Sequence, residues 1–407
     1  MPHAPDAPTG PGKPGEVFRA FLRLGLTSFG GPIAHLGYFR GELVLRRRWI
    51  DEPGYADLVA LSQFLPGPAS SQVGFGLGVL RGGGLLGGLA AWVGFTLPSA
   101  LILLAFALGA AALTGPVAMG AVHGLKLVAV AVVAQAVWGM ARTLTPDRMR
   151  AGIALAALAI VVIAGGSAGQ IAAIVLGALA GWWFCRGPMA ERVGLLRFPV
   201  SRRGGAMALA LFAAILLIPP ILASGAGWQG LALFDAFYRS GALVFGGGHV
   251  VLPLLRAEVV APGWVGDAPF LTGYGLAQAM PGPLFTFAAY LGAVMGPPPS
   301  GVIGAAIALV AIFLPGLLLL YGMLPFWDGL RGRPGAQAAM RGANASVVGI
   351  LGAALYSPVW TSAVLTPLDF LLAVAGFLML TVWKLPPWLV VVALAACGMA
   401  ASAAQWG

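Results

Sequence analysis

The chain has 407 residues, of which 59% are hydrophobic and only 9% charged, with a mean hydropathy of +0.91 and a formal net charge of +10. So few charged residues cannot cover a soluble globular protein of this length, so the composition points to an integral membrane protein. The arginines lie in short connections between apolar stretches, the pattern of cytoplasmic loops, and this argues against a nucleic-acid-binding face.

Residues 1–16, rich in Pro, Gly and Ala without an apolar run, read as a disordered N-terminal tail and not as a signal peptide. Apolar segments follow near 18–38, 56–80, 85–112, 117–141, 151–166 and 169–184, which together make a first transporter repeat of residues 17–184. Residues 185–230 form a basic linker plus an additional membrane segment near 206–223. The second repeat, 231–407, runs through segments near 233–255, 270–295, 301–324, 341–361, 367–383 and 386–403. The expected fold class is an all-α polytopic membrane protein with about 13 hydrophobic segments in two homologous repeats. Seven crossings between equivalent points invert the second repeat, whereas without the span at 206–223 the repeats would be parallel.

Two motifs establish the duplication. Phe29-Gly30-Gly31-Pro32 returns 216 positions later as Phe245-Gly246-Gly247-Gly248, and Gln63-Phe64-Leu65-Pro66-Gly67-Pro68 returns as Gln278-Ala279-Met280-Pro281-Gly282-Pro283. Adjacent glycines and a Pro-Gly-Pro triplet interrupt a helix, and hydrocarbon does not tolerate the freed N–H and C=O groups. Close helix packing explains a single glycine pair well enough, but interruption at matching places in both repeats favours a binding role. Each triplet is placed to start a new half-helix whose N-terminus attracts an anion. Ser70, Ser71 and Gln72 follow the first triplet, while Leu284, Phe285, Thr286 and Phe287 follow the second, so the polar lining is unequal. Gln63 and Gln278 are further candidate contacts.

Charged residues inside or beside apolar segments are costly unless paired, and mark ion paths by default. Arg40 with Glu42 is matched by Arg256 with Glu258, and the two-residue spacing forbids pairing within one helix, so each must find its partner elsewhere. Arg40, Arg256 and Lys126 are candidate counter-charges for a substrate. His35, Glu42, His249 and Glu258 are candidates for proton coupling by their titratable chemistry. With a cytoplasmic N-terminus, Arg40, Arg46, Arg47 and Arg48 fall on the wrong side for the positive-inside rule. Either 18–38 and 56–80 are both re-entrant, which is the favoured reading, or the cluster attracts anions. Cys185 and Cys397 read as small apolar fillers. Neither a nucleotide loop, a catalytic constellation, a metal-ligand cluster nor a cofactor motif is present in the sequence.

The run Ser28 to Arg40, with Tyr55-Ala56-Asp57-Leu58 and Gln63 to Gln72, resembles the chromate ion transporter family, as does Phe245 to Leu255 followed by Gln278 to Pro283. The resemblance covers residues 17 to 400 and is to the long, fused members with two halves. It implies efflux of chromate from the bacterial cytoplasm across the inner membrane, driven by the membrane potential or a proton gradient, with sulfate a chemically similar oxyanion. The expected partners are then that oxyanion and the lipid bilayer, without nucleic acid; a homo-oligomer is compatible with the sequence. Residues around Gly30, Gly31, Pro66 to Gln72, Gly246, Gly247 and Pro281 to Pro283 are expected to enclose the anion while the halves rock about it. A passive anion channel and a membrane enzyme acting on a phosphorylated lipid are the alternatives.

Overall fold

Helices account for all regular structure among the residues that the computed structural model describes, which are 12–29, 31–109, 115–186, 198–226, 228–245, 248–330 and 333–406. In the first repeat, α1 (Pro14–Thr27) begins within the stretch expected as tail, and its preceding residues 1–11 lie outside the described residues. The chain turns at Ser28 and Phe29 into α2 (Gly31–Phe39), which continues as a π-helical turn, Arg40–Arg46. Asp51 then caps α3 (Glu52–Phe64) by accepting the Gly54 N–H at 3.0 Å, and Pro66 and Pro68 end it before α4 (Ala69–Arg81).

These four helices are two hairpins that enter and return on one side. The Gly12 N–H donates to the Arg81 carbonyl at 2.7 Å, Arg81 pairs with Glu16 at 3.1 Å, and its guanidinium lies 5.5 Å from the Trp49 ring centroid. Residues 12–16, 47–49 and 81 therefore share one end. Both 18–38 and 56–80 are re-entrant, and the Arg46–Arg48 cluster sits at the same end as Arg81. This arginine-rich end is where α5 (Leu85–Gly109) starts.

Four more crossings follow: α6 (Pro116–Leu144), α7 (Arg148–Ala164), α8 (Gly166–Phe184) and α9 (Arg202–Ala226). At the arginine-rich connection between α6 and α7, Asp147 caps α7. Its carboxyl is held below the usual carboxylate range by the Arg150 backbone N–H, then by the Arg150 guanidinium. Helix α9 packs by Gly205 against Gly322 and presents Met207, Leu217 and Ile221 outward, as a lipid-facing span does.

The second repeat repeats the plan. Its first hairpin is α10 (Gln229–Ala242) followed by a 3-10 turn, Gly248–Val250, then α11 (Val251–Leu255) and a π-helical turn, Arg256–Val260. Its second is α12 (Asp267–Ala279), a 3-10 turn, Leu284–Thr286, and α13 (Phe287–Val294). The Gly296 N–H to Trp264 carbonyl bond of 3.0 Å closes its outer end. Crossing helices complete the chain: α14 (Gly301–Met323), which runs through a 3-10 turn into α15 (Trp327–Leu330), α16 (Pro334–Ala354) with a π turn and α17 (Thr361–Ala363), α18 (Pro367–Thr381) and α19 (Pro387–Trp406).

Inversion follows from the long helices. Along α5, Gly87 and Gly88 pack against α4, whereas Ala100 and Phe106 pack against Ala289 and Tyr290 of α13. Along α14, Gly304 packs against Gly292 of α13, whereas Gly316 and Leu320 meet Gly67 and Gly76 of the first repeat. Each crossing helix thus covers its own hairpins with one half and the other repeat's hairpins with the other half, so the hairpins enter from opposite ends. The odd crossing of α9 makes this connectivity feasible.

The repeats also exchange helices. Helix α6 packs on α19 through Gly120 and Gly124 against Gly398 and Ala395, and α16 packs on α8 through Gly342 against Gly177 and Gly181. Small residues at these crossings let backbones approach, the usual route to helix association in lipid. Five stretches among the described residues are long and apolar enough to cross a membrane alone: Leu85–Gly109, Val117–Leu144, Arg202–Leu222, Gly301–Gly329 and Pro334–Ala363. Helices α7 and α18, with 17 and 15 residues, are the short ones. At 1.5 Å per residue they reach about 22–26 Å, less than a hydrocarbon core of about 30 Å.

Candidate functional site

All four hairpin tips meet where the helices are broken. The Gly67 N–H donates to the Val244 carbonyl at 2.7 Å, and the Gly282 N–H donates to the Ser28 carbonyl at 2.8 Å. These bonds are equivalents of one another, so the triplet glycine of each repeat satisfies the interrupted helix of the other. Their φ values of +124° and +93° require glycine, and a Cβ would lie 2.9 Å from the Gly316 Cα and from the Ser99 Oγ, respectively. Gly316 and Ser99 each follow the proline inside a crossing helix, Pro315 in α14 and Pro98 in α5.

On the first-repeat side the space is filled. Gln72 is buried and donates its Nε2 to the carbonyls of Pro66 at 2.9 Å and Gly316 at 3.0 Å, which ties the first triplet to α14. His35 Nδ1 lies 3.3 Å from Ser70 Oγ, and the His35 ring stands edge-on to Phe95. Ser28 Oγ, His35 Nε2, Ser71 Oγ, Gln72 Oε1 and Thr96 Oγ1 are buried there without hydrogen-bond partners. That is a concentration of unused polar capacity beside the break.

On the second-repeat side a cavity of about 50 Å³ opens, room for roughly three to five water-sized spheres. Gly31 and Pro32 of the first break line it, with His249 of the second break, Gln278, Met280, Gly282 and Leu284 around the second triplet, and Val132 and Gln135 of α6. Gln278 Nε2 is buried without a partner. His249 Nδ1 lies 2.7 Å from the Tyr274 hydroxyl, and Gln135 Nε2 donates to the Leu380 carbonyl at 3.4 Å. Backbone at two broken helices, two side-chain amides and an imidazole are a hydrogen-bonding set suited to a small oxyanion.

The other expected residues lie elsewhere. Gly30, Gly246 and Gly247 fall outside the described residues. Gln63 is exposed on α3, away from the cavity. Arg40 pairs with Glu52 at 2.7 Å and its equivalent Arg256 with Asp267 at 3.0 Å, each closing a hairpin at its outer end. Glu42 pairs with Arg46 and, at 2.7 Å, with Arg47, while Glu258 pairs with Arg239 at 2.9 Å. Lys126 is nine residues from Gln135, about 180° around α6 at 3.6 residues per turn, so it faces away from the cavity. Pro66, Pro68, Pro281 and Pro283 flank the two donating glycines.

Sequence reasoning missed Gln135, Thr96, Ser99, Tyr274 and Gly316. Two signals were available: Pro98-Ser99 and Pro315-Gly316 recur 217 positions apart, and Gln135 is a polar residue in an apolar run.

Comparison with known proteins converges with this geometry. Residues 15–182 and 231–399 each match the family described as Chromate transporter. The chain is 31% identical to the chromate transport protein of Pseudomonas aeruginosa over 401 residues, 94% of this chain and 90% of that one. It is 29% identical to the chromate transport protein of Cupriavidus metallidurans, over 95% of this chain and 92% of that one. A probable chromate transport protein of Synechococcus elongatus is 30% identical, over 83% and 84% of the two chains. No solved structure matches the chain. Two matched regions coincide with the two inverted sets of hairpins and crossing helices, and the relatives are transport proteins and not enzymes. The chain therefore belongs to the chromate transporter family, as a multi-pass membrane transporter with both of its halves present.

Proposed function

We propose that this chain exports chromate, or another tetrahedral oxyanion such as sulfate, from the cytoplasm across the inner membrane by alternating access. The observation that carries the reading is the cavity at the crossing of inverted, broken hairpins. It belongs to both repeats at once, since Gly31 and Pro32 face His249, Gln278 and Gly282 across it. The anion is held by Gln278 Nε2, Gln135 and His249 beside the backbone of the breaks at Gly31 and Gly282. Partial positive charge at half-helix N-termini offsets part of the dianion's charge without a buried arginine.

In this reading the first-repeat polar group, with His35, Ser70, Ser71, Gln72 and Thr96, forms the equivalent half-site on the other side of the crossing. It is closed in the present conformation and opens when the halves rock. Arg40 and Arg256 attract the anion at the two ends and brace the hairpins through Glu52 and Asp267 rather than entering the cavity. The repeats act as units of residues 17–184 and 231–407, joined by 185–230, with the arginine-rich end in the cytoplasm.

Uptake of radiolabelled chromate into everted membrane vesicles, with and without an energy source and with sulfate as competitor, tests the proposal. Energy-dependent accumulation reduced by sulfate is expected. Equilibration without accumulation would instead identify a passive anion channel.

A further inference from the structure

Outside the cavity, the described residues hold one histidine in direct contact with a carboxylate. His123 Nε2 of α6 lies 2.6 Å from Asp369 Oδ1 of α18. The pair joins the two repeats, with side chains 32% and 9% exposed respectively. Asp369 is fixed in place: its Oδ2 accepts the N–H groups of Leu365 at 3.1 Å and Thr366 at 2.9 Å, completing a capping box with Thr366. Its Oδ1 is left for the imidazole. The other described histidines partner a hydroxyl instead, His35 with Ser70 and His249 with Tyr274. Glu42 and Glu258 are each held by arginine. The four groups chosen from the sequence for proton coupling are thus less well placed to exchange a proton than His123.

Position and symmetry sharpen this. The pair lies at the end opposite the arginine-rich one, where α6 and α18 both begin. In the second repeat the equivalent of His123 is Arg341, whose guanidinium donates to the Cys185 carbonyl at 3.0 Å at the arginine-rich end. At the start of the equivalent helix α7, Asp147 is the N-cap in the place of Thr366, and it pairs with Arg150, which stands in the place of Asp369. One end of the pseudo-symmetric pair of helices therefore carries a permanent cation and the other a titratable one.

One of these two helices, α6, reaches the cavity, and the other is tied to it there. Gln135, 12 residues along α6 or about 18 Å from His123 at 1.5 Å per residue, lines the cavity and donates to Leu380 of α18. Helices α6 and α18 are thus clipped at both ends, by His123 with Asp369 and by Gln135 with Leu380. An anion that recruits the Gln135 amide weakens the second clip, and a proton on His123 turns the first from a hydrogen bond into an ion pair.

We infer that the His123–Asp369 pair is the proton-binding site through which anion export is coupled to proton entry, an inference that rests on the transport reading above. The imidazole keeps its Nε2–H to Asp369 Oδ1 and takes a proton from water on Nδ1. The pair's charge goes from −1 to 0, and release of that proton restores it. The charged and titratable groups facing it are few. Lys126 lies one turn along α6, and Asp267 of α12, paired with Arg256, acts on Lys126. Tyr356 of the π turn is mostly exposed, Arg341 of α16 sits at the other end, and α19 carries no charged residue.

The test uses the full chain in proteoliposomes, with radiolabelled sulfate and chromate and the membrane potential clamped at zero. A pH gradient should drive anion accumulation by the wild type. In His123→Gln, which keeps a hydrogen bond but carries no proton charge, that accumulation should fall about tenfold while gradient-free anion exchange stays within about twofold. His123→Arg, a fixed charge, should behave likewise. Retained gradient-driven accumulation in His123→Gln overturns the inference. So does loss of exchange together with accumulation in both His123→Gln and Asp369→Asn, which would make the pair a structural clip. Wild-type exchange indifferent to a pH gradient refutes the proton site alone, whereas a wild type that exchanges neither anion defeats the transport reading itself.

Discussion

Gln278 puts a buried, unpartnered amide nitrogen on the cavity wall, and a donor left in that state costs about 1–3 kcal/mol until a ligand accepts from it. Its counterpart Gln63 occupies the same position before its triplet but is exposed on α3. Exchanging Gln278 for Leu should therefore raise the half-saturating oxyanion concentration about tenfold or more, by loss of a hydrogen bond to a charged ligand, while Gln63→Leu stays within about twofold. Concentration dependence of vesicle uptake checks both, and equal effects would remove the second-triplet cavity as the site. The sequence treats the two glutamines alike because duplication preserves spacing but not the neighbours that turn a side chain inward. It reads Arg40 and Arg256 incompletely for a related reason: the two-residue spacing excludes Glu42 and Glu258 as partners, but Glu52 and Asp267 approach only once each hairpin has folded back. Backbone demands were more legible. Gly67 and Gly282 hold positive φ and hand their N–H groups to the opposite repeat, so Gly282→Ala should cost about 1–3 kcal/mol through strain alone. It should also lower the thermal midpoint in detergent; an unchanged midpoint would mean that the reciprocal bonds carry little stability.

At the scale of helices, the exchange of α6 onto α19 and of α16 onto α8 depends on glycines where backbones touch. A Cβ on Gly342 would lie 2.6 Å from the Gly181 Cα, and one on Gly124 would lie 2.8 Å from the Ala395 Cα. Neither atom can move without shifting a helix. Gly342→Leu and Gly124→Leu should each destabilise by about 1–3 kcal/mol or more through overpacking, read as a lower unfolding temperature, while Gly139→Leu, which meets open space, should be neutral. The broken helices were plain in the sequence, since Gly-Gly-Pro and Pro-Gly-Pro cannot continue a helix whatever surrounds them. Whether 18–38 and 56–80 cross or return was less plain, because about twenty apolar residues look the same to hydropathy as one span or as two half-spans. The contact of Arg81 with Glu16 and Trp49, which settles it, joins residues 65 and 32 positions apart. The crossing helices needed no such contact to be recognised, for α5 and α14 carry no charged residue and are long enough to span.

For the whole molecule, the odd crossing of α9 sets the second repeat upside down, and the inverted arrangement lets four hairpin tips meet from opposite ends. The topology has a direct readout. In a protein with Cys185 and Cys397 replaced by Ser, a cysteine introduced at Arg48 lies at the arginine-rich end, and one at Ala261, in the equivalent connection of the second repeat, lies at the other. Positive-inside orientation places Arg48 in the cytoplasm. A membrane-impermeant maleimide should then label Arg48→Cys only in everted vesicles and Ala261→Cys only in intact cells. Labelling of both from one side would make the repeats parallel and break the reciprocal Gly67–Val244 and Gly282–Ser28 arrangement. Labelling of Arg48→Cys from outside with Ala261→Cys inside would preserve the inversion but reverse the chain in the membrane, and with it the side on which the His123–Asp369 pair meets its proton.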